Sequence, residues 1–215
     1  MIATSQKDFN ELYSNLKSEK NVIIIGCGLC AKTFQTGGEA QVEELAHKLE
    51  EKGINVLTTS VIDAVCDQRQ VRLFINKNKD AINNTDSIIV MACGAGVQAF
   101  KELVPEIKLH PYLDTVFLAT EKRLGYFYQF CSMCGECKLE ITNGICVITR
   151  CPKGFMNGPC GGAKKGKCEA MPENECVWNR IFELDKENFR DKYINYISPR
   201  NYQKQFHPQK IEKQL

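Results

Sequence analysis

The sequence predicts an α/β fold: a small doubly wound parallel-sheet domain, then a cysteine-rich domain stapled by metal, then a helix and a polar tail. Over the first 120 residues, short apolar runs alternate with amphipathic helical patterns, which is typical of parallel strands joined by crossover helices. Eight of the twelve cysteines then fall within residues 131–176, which hold many glycines and few apolar runs. We therefore divide the chain into residues 1–120, 121–197 and 198–215.

The elements of the first domain follow from the spacing of apolar residues. Helical spacing predicts an amphipathic first helix, and the uninterrupted apolar strands that follow imply helices on both faces of the sheet. Predicted strands cover residues 21–25, 54–62, 87–92 and 115–119. Predicted helices cover residues 6–19, 38–52, 68–83 and 97–104, and a later one covers 176–192.

Composition and charge exclude several classes of protein. A formal net charge of +2 argues against a dedicated nucleic-acid or membrane surface. No run reaches the roughly 18 apolar residues of a membrane span, and the N-terminus lacks the apolar core of a signal peptide. These features predict a cytoplasmic protein, where thiols stay reduced. Twelve cysteines in such a chain are better explained by metal ligation than by disulfides.

Four cysteines follow the predicted strands of the first domain: Cys27, Cys30, Cys66 and Cys93. The carboxyl ends of parallel strands meet at one edge of a sheet, so we expect these thiols to converge there. Four thiolates are a complete ligand set for a [4Fe–4S] cluster. Zinc, or a nucleotide loop with incidental thiols, remains open, since residues 26–31 also resemble a dinucleotide-binding turn.

Glycines flank these four cysteines. They let the backbone approach a ligand closely and offer N–H groups to cluster sulfide, while a helix N-terminus favours negative charge. The glycines expected to contact the cofactor are Gly26, Gly28, Gly37, Gly38 and Gly94.

The second segment holds eight further cysteines, which make two sets of four. Its first three have the spacing of a bacterial ferredoxin run, and Cys151 precedes Pro152 as a fourth ferredoxin ligand does. The Cys-x2-Cys-Gly start also resembles a zinc knuckle, so spacing leaves both metal and grouping open. Nearby lysines would offset the thiolate charge. The predicted ligands are Cys131, Cys134, Cys137, Cys146, Cys151, Cys160, Cys168 and Cys176.

The stretches C-x2-C-G-x-C, N-G-I-C, R-C-P-K-G-F-M-N-G-P-C-G-G and G-K-C-E resemble the cysteine-rich C-terminal domain family of methylenetetrahydrofolate reductase. The loop G-C-G-L-C-A with T-G-G resembles the MetV-type small iron–sulfur subunit that carries this domain in anaerobes such as acetogens. The resemblance implies a non-catalytic iron–sulfur electron-transfer subunit. Together with the cysteine spacing, it predicts one [4Fe–4S] cluster in the first domain and at least one in the cysteine-rich domain, with zinc left open as a further metal. It further implies a flavin-containing barrel partner that reduces 5,10-methylenetetrahydrofolate to 5-methyltetrahydrofolate. A separate electron-donor protein is left open as a further partner.

Two other functions remain open from the residues alone. A zinc-stapled assembly module without a redox role would use the same cysteines. A zinc-ribbon nucleic-acid binder would use the aromatic and basic tail, although the near-neutral net charge disfavours it. The three histidines are dispersed along the chain, so no catalytic constellation is predicted.

Overall fold

The computed structural model describes residues 1–16, 18–193 and 198–212. The chain divides into two compact units. The first contains residues 1–117 and 123–127, and the second contains residues 118–122 and the chain from residue 128 onward. The predicted boundary at residue 197 and the end of the predicted tail lie outside the described residues.

The first unit is built on a parallel sheet with strand order β3-β2-β4-β5. A three-stranded antiparallel sheet has the order β1-β6-β7. The predicted α/β class with a parallel sheet is therefore confirmed. The described strands are β1 Ile2–Gln6, β2 Asn21–Cys27, β3 Asn55–Ile62, β4 Ser87–Met91, β5 Lys108–Pro111, β6 Leu113–Arg123 and β7 Tyr126–Gln129.

Helices follow the strands of the parallel sheet, and short helices close the second unit. None of the described helices is long and apolar enough to cross a bilayer. Their bounds are α1 Phe9–Leu16, α2 Cys30–Thr33, α3 Glu39–Glu50, α4 Gln68–Lys77, α5 Lys79–Asn84, α6 Gly94–Lys101, α7 Val147–Arg150, α8 Val177–Leu184 and α9 Phe189–Tyr193.

The two central strands, β2 and β4, form the core of the first unit. The side chains of residues 22–25 and 88–91 are fully buried, as expected for strands covered on both faces. Helix α3 contributes Leu45 and Leu49 to the same apolar cluster. Each such side chain contributes about 1.5–3 kcal/mol on burial, which fixes the strand ends where the cysteines lie.

The opposite, N-terminal edge of this sheet is closed by a buried polar network. Glu19 accepts hydrogen bonds from Lys108 Nζ at 2.7 Å, His110 Nε2 at 2.9 Å and Ser87 Oγ. Burial would raise the pKa of Glu19, but the hydrogen bonds from Lys108 and Ser87 and the His110 interaction outweigh burial and lower it. Burial lowers the pKa of His110 more than Glu19 raises it.

Three described strands differ from the prediction, since β1, β5 and β7 all lie outside the predicted strands. The fourth parallel strand is β5, four residues long, whereas predicted residues 115–119 lie in β6 of the antiparallel sheet. Strand β1 falls in a segment that was predicted as polar chain leading into a helix. It forms because Ala3 and Thr4 are buried and Thr4 Oγ1 lies 2.6 Å from Thr36 Oγ1.

Two predicted helices are each divided in the structure. The helix predicted over residues 68–83 breaks at Asn78. The side-chain Nδ2 of Asn78 donates to Phe74 O at 2.9 Å, and α4 ends at the residue before it. The helix predicted over residues 176–192 breaks at Asp185, whose carboxylate accepts a hydrogen bond from Asn188 Nδ2 at 2.9 Å. The same carboxylate accepts from Tyr193 Oη at 3.2 Å, which ties α9 to the end of α8.

A small apolar cluster supports the second unit. Trp178 is 1% exposed, contacts the rings of Phe189 and Tyr193 edge-on, and donates from Nε1 to Phe155 O at 3.0 Å. Val147 and Ile181 complete its buried centre. So few apolar residues give a segment of this length little hydrophobic stabilisation, which is why the sequence predicts that metal staples it.

Candidate metal centres

The four cysteines of the first unit lie at the carboxyl edge of the parallel sheet, and we call them the edge quartet (Cys27, Cys30, Cys66 and Cys93). Cys27 ends β2 level with Ile62, the last residue of β3. Cys30 begins α2, and Cys93 precedes α6 directly after β4. The strand ends therefore deliver these residues to one edge, as the topology predicts.

The edge quartet shares one electrostatic environment. Burial raises the pKa of the Cys66 thiol above its ordinary value. The sulfur atoms of the other three cysteines raise it further, Cys93 most and Cys30 least. Four thiolates in this space would repel one another, so a cation among them would favour the deprotonated, ligating form.

The glycines predicted to contact a cofactor bring backbone segments together. A Cβ on Gly37 would lie 2.3 Å from Met91 O, and a Cβ on Gly26 would lie 2.5 Å from Gly37 O. A Cβ on Gly28 would lie 3.2 Å from Asp63 Cα. These three residues let the loop before α3 sit directly against the ends of β2 and β4.

The amide groups of the same glycines already have protein partners. Gly28 N donates to Ile62 O at 2.8 Å, and Gly37 N donates to Ala31 O at 3.2 Å. Gly38 N donates to Gln41 Oε1 at 3.2 Å, and Gly94 N donates to Thr115 Oγ1 at 2.7 Å. The structure thus shows close packing at Gly26, Gly28 and Gly37, whereas contact of any of the five glycines with a cofactor stays a prediction.

The eight cysteines of the second unit separate into two sets of four. Quartet A lines a cavity with about 530 Å³ of empty space, and its walls include Phe130, Leu139 and Val147. Apolar side chains thus form part of the surround of these thiols, of which Cys134 is buried and Cys131 and Cys137 are exposed. Quartet A consists of Cys131, Cys134, Cys137 and Cys146.

Quartet B lines a smaller cavity with about 330 Å³ of empty space, bounded by Ala163, Val177 and Trp178. Its loop is held by short antiparallel bridges between Lys164 and Lys167 and between Lys167 and Glu175. Quartet B consists of Cys151, Cys160, Cys168 and Cys176. Cys151, whose spacing resembles that of a fourth ferredoxin ligand, thus lies in a different cavity from the Cys131 run.

Backbone amides donate to sulfur in both quartets. Met133 N lies 3.3 Å from Cys131 Sγ, and Gly162 N lies 3.5 Å from Cys160 Sγ. Left-handed backbone at Met133 (φ 53°) and Gly161 (φ 78°) turns the chain back toward each sulfur. An amide that donates to sulfur stabilises a thiolate, so both turns are suited to ligation.

Lysine charge lies close to quartet B, as the sequence predicts. Lys153 is paired with Glu169, which raises the pKa of the lysine, and Cys160 and Cys168 raise it further. Lys153 therefore lies in the electrostatic field of two of the four thiols.

All twelve cysteines are free thiols. In the described residues, no three His, Cys, Asp or Glu side chains converge closely enough to hold a metal ion as they stand. Ligation by the three quartets consequently stays a prediction, carried by their grouping and, in quartets A and B, by the amide groups that face sulfur.

One contact in the second unit, between Arg150 and Phe130, was not predicted from the sequence. Arg150, next to Cys151, places its guanidinium 4.7 Å from the ring centre of Phe130, which precedes Cys131. Both residues border cysteine cavities. The only available signal was their position beside the first cysteine of each cluster.

Comparison with known families bears on this second unit. Residues 110–203 match the model of a family described as methylene-tetrahydrofolate reductase C terminal, and this range contains both quartets. None of the curated proteins matches the chain. This match confirms, over residues 110–203, the family resemblance inferred from the cysteine spacing.

Proposed function

We propose that this chain is the iron–sulfur electron-transfer subunit of a flavin-dependent methylenetetrahydrofolate reductase complex in the cytoplasm. Its partner would be a flavin-containing barrel subunit that reduces 5,10-methylenetetrahydrofolate to 5-methyltetrahydrofolate, and a further protein would supply the electrons. The observation that carries the proposal is the separation of eight cysteines into two quartets within the matched domain. The edge quartet adds a third set in the first unit.

The edge quartet and quartet A are the sets we assign to [4Fe–4S] clusters. Quartet A has the larger cavity and mostly apolar walls. When bound, such clusters supply reversible one-electron transfer at a potential set by burial, hydrogen bonds to sulfur and nearby charge. Quartet B, with the smaller cavity and a loop closed by short β-bridges, suits a single zinc ion or a further cluster.

The residues around each set have distinct tasks. Phe130, Leu139 and Val147 line the cavity of quartet A with apolar side chains. Met133 N donates to Cys131 Sγ, which favours the thiolate. At quartet B, Lys153 offsets negative charge on Cys160 and Cys168. The Met133 amide and Lys153 thus favour the thiolate form of the ligands. The chemistry on the folate would take place in the partner.

Metal analysis of the full chain, purified without oxygen, tests the proposal. We expect about eight iron and eight sulfide per chain for two [4Fe–4S] clusters, with visible absorbance that bleaches on reduction. Cys66→Ser, Cys137→Ser and Cys160→Ser should each remove the metal of one quartet and leave the other two. Ser132→Ala, beside a ligand but without a thiol, is the matched control and should keep the full complement.

The alternative is a zinc-stapled assembly module without a redox role. The narrow quartet B favours it, because structural zinc sites are closed four-thiolate cages. Zinc in all three quartets, with no iron and no bleaching, would establish this alternative and reject the relay. Reduction of the partner's flavin only when the iron-loaded chain is present would support the relay.

A further inference from the structure

The second unit contains an open cleft that the proposed function does not use. Its volume is about 460 Å³, within the range of small-molecule sites. The lining residues on which the argument rests are Lys122, Tyr128, Phe130, Arg150, Glu175 and Arg180.

One wall of the cleft is aromatic. The rings of Tyr128 and Phe130 are stacked with centroids 5.9 Å apart and an interplanar angle of 27°. Tyr128 is 40% exposed. Lys122 Nζ lies 5.6 Å from the Tyr128 ring centre, and the Arg150 guanidinium lies 4.7 Å from that of Phe130. A planar ligand ring can extend this stack while its charged group reaches the cations.

The cleft also carries positive charge that its own carboxylates do not fully neutralise. Arg180 pairs with Glu175 at 3.3 Å. Arg150 is half-buried and has no carboxylate within ion-pair distance in the described part of the chain. Glu173 also lines the cleft, which leaves three cations against two carboxylates. A guanidinium that is partly desolvated and unpaired favours a bidentate anion such as phosphate or carboxylate.

The cleft borders both cysteine cavities of the second unit. Phe130 is shared with the cavity of quartet A, whereas Arg150 and Pro152 are shared with that of quartet B. A molecule bound here would lie beside residues that contact both sets of thiols.

We propose that this cleft binds a phosphorylated planar heterocycle, with the ring stacked beside Tyr128 and Phe130 and the phosphate on Arg150 and Arg180. Nucleotides and flavin nucleotides share this chemistry. The site goes beyond the proposed function, since it does not depend on which metal fills either quartet.

Fluorescence titration of the anaerobically purified full chain tests the site, with flavin mononucleotide as the probe. Stacking on aromatic rings quenches flavin emission, so we expect saturable quenching that weakens as salt rises. Riboflavin, which lacks the phosphate, should bind at least about ten-fold more weakly because the charge-assisted bonds are lost. Displacement by adenosine monophosphate would identify a general nucleotide site, whereas failure to displace would identify a flavin-selective one.

Two variants separate the binding role from effects on the neighbouring thiols. Arg150→Gln lies next to Cys151, so its metal content is measured alongside binding. Arg180→Gln lies one helical turn after Cys176, so its metal content is measured as well; it should weaken flavin mononucleotide at least about ten-fold with metal content unchanged. Arg190→Gln, an exposed arginine outside the cleft, is the matched control and should bind as the parent does.

Three results would overturn the inference. They are absence of saturable quenching, equal affinity for riboflavin and flavin mononucleotide, and parental affinity in both Arg150→Gln and Arg180→Gln. None of them affects the iron and sulfide measurements, so a failed ligand site and a failed electron-transfer function are told apart.

Discussion

Replacing Gly37 with alanine should destabilise the first unit strongly, because a Cβ at this position has no room. It would lie 2.3 Å from Met91 O and 2.9 Å from Met91 Cβ. The closer neighbour is backbone at the end of a fully buried strand, so it cannot move aside by changing a rotamer. The loop itself must shift, by about 1 Å, against an interior that is close-packed.

The cost of Gly37→Ala follows from what that shift disturbs. Overpacking of this kind costs about 1–3 kcal/mol. The shift also strains the bond from Cys27 N to Gly37 O, 2.9 Å in the native arrangement, and leaving a buried amide unpaired costs about 1–3 kcal/mol. We therefore expect a loss of about 3–5 kcal/mol in the free energy of unfolding. With a slope of about 2 kcal/mol per molar urea, the midpoint should fall by about 2 M.

Two optical probes separate the units in this experiment. Far-UV circular dichroism reports mainly the helices and strands of the first unit. Fluorescence of Trp178, the single tryptophan, reports the second. Gly37→Ala should lower the midpoint seen by circular dichroism and leave the Trp178 transition in place.

Gly94→Ala is the matched control, because its Cβ would meet only Thr115 Oγ1, at an ordinary 3.4 Å. Alanine at the start of α6 is also a better helix former by up to about 1 kcal/mol, so the stability should stay near the parent value. The reasoning fails if Gly37→Ala unfolds within about 0.5 M urea of the parent. It also fails if Gly94→Ala is destabilised as much as Gly37→Ala.

Three further predictions concern other parts of the chain. The pKa values of His110 and Glu19 are both lowered in the folded state, so the stability that these groups confer is complete above their ordinary values of 6.5 and 4.5 and is lost as the pH falls through the folded values. The urea midpoint should therefore fall between pH 8 and pH 4. A midpoint that does not change with pH would contradict this. Glu136→Ala removes the carboxylate that accepts from Asn201 N at 3.0 Å, so trypsin should cleave the segment after residue 198 faster, whereas unchanged cleavage would show that this contact does not hold the segment. Trp178→Phe removes the hydrogen bond to the carbonyl of Phe155 and should lower the stability of the second unit by about 1 kcal/mol, so limited proteolysis within residues 128–193 should become faster, and an unchanged cleavage rate would argue against the bond.

The parallel sheet could be predicted because its strands carry the signal in their own residues. Residues 22–25 and 88–90 are uninterrupted branched apolar runs, which only strands covered on both faces contain. The amphipathic pattern of α3 likewise fixed its bounds to within two residues at each end. Placement of the edge quartet then followed from topology alone, since the carboxyl ends of parallel strands share an edge.

Strands β1 and β5 could not be found in this way. β5 has the sequence Lys-Leu-His-Pro and is held in the sheet by backbone pairing with β4 from Ser87 to Val90. Its histidine is buried through a hydrogen bond to Glu19, a partner 91 residues earlier in the chain. Pairing of this kind depends on tertiary contacts, which leave no local periodicity for a sequence pattern to show.

The grouping of the eight later cysteines was out of reach for a related reason. Spacing shows only which thiols are near one another along the chain. By spacing alone, the ferredoxin-like run that begins at Cys131 could take Cys151 as its fourth ligand as readily as Cys146. In the structure the four-residue helix α7 follows Cys146 and ends before Cys151, so these two cysteines lie at its opposite ends and border different cavities. Each quartet is thereby contiguous in sequence, 131–146 and 151–176, so a metal bound by either would close only short loops. Because closing a short loop costs less entropy than closing a long one, metal binding by two local quartets would cost this weakly apolar segment less entropy than binding by two interleaved ones.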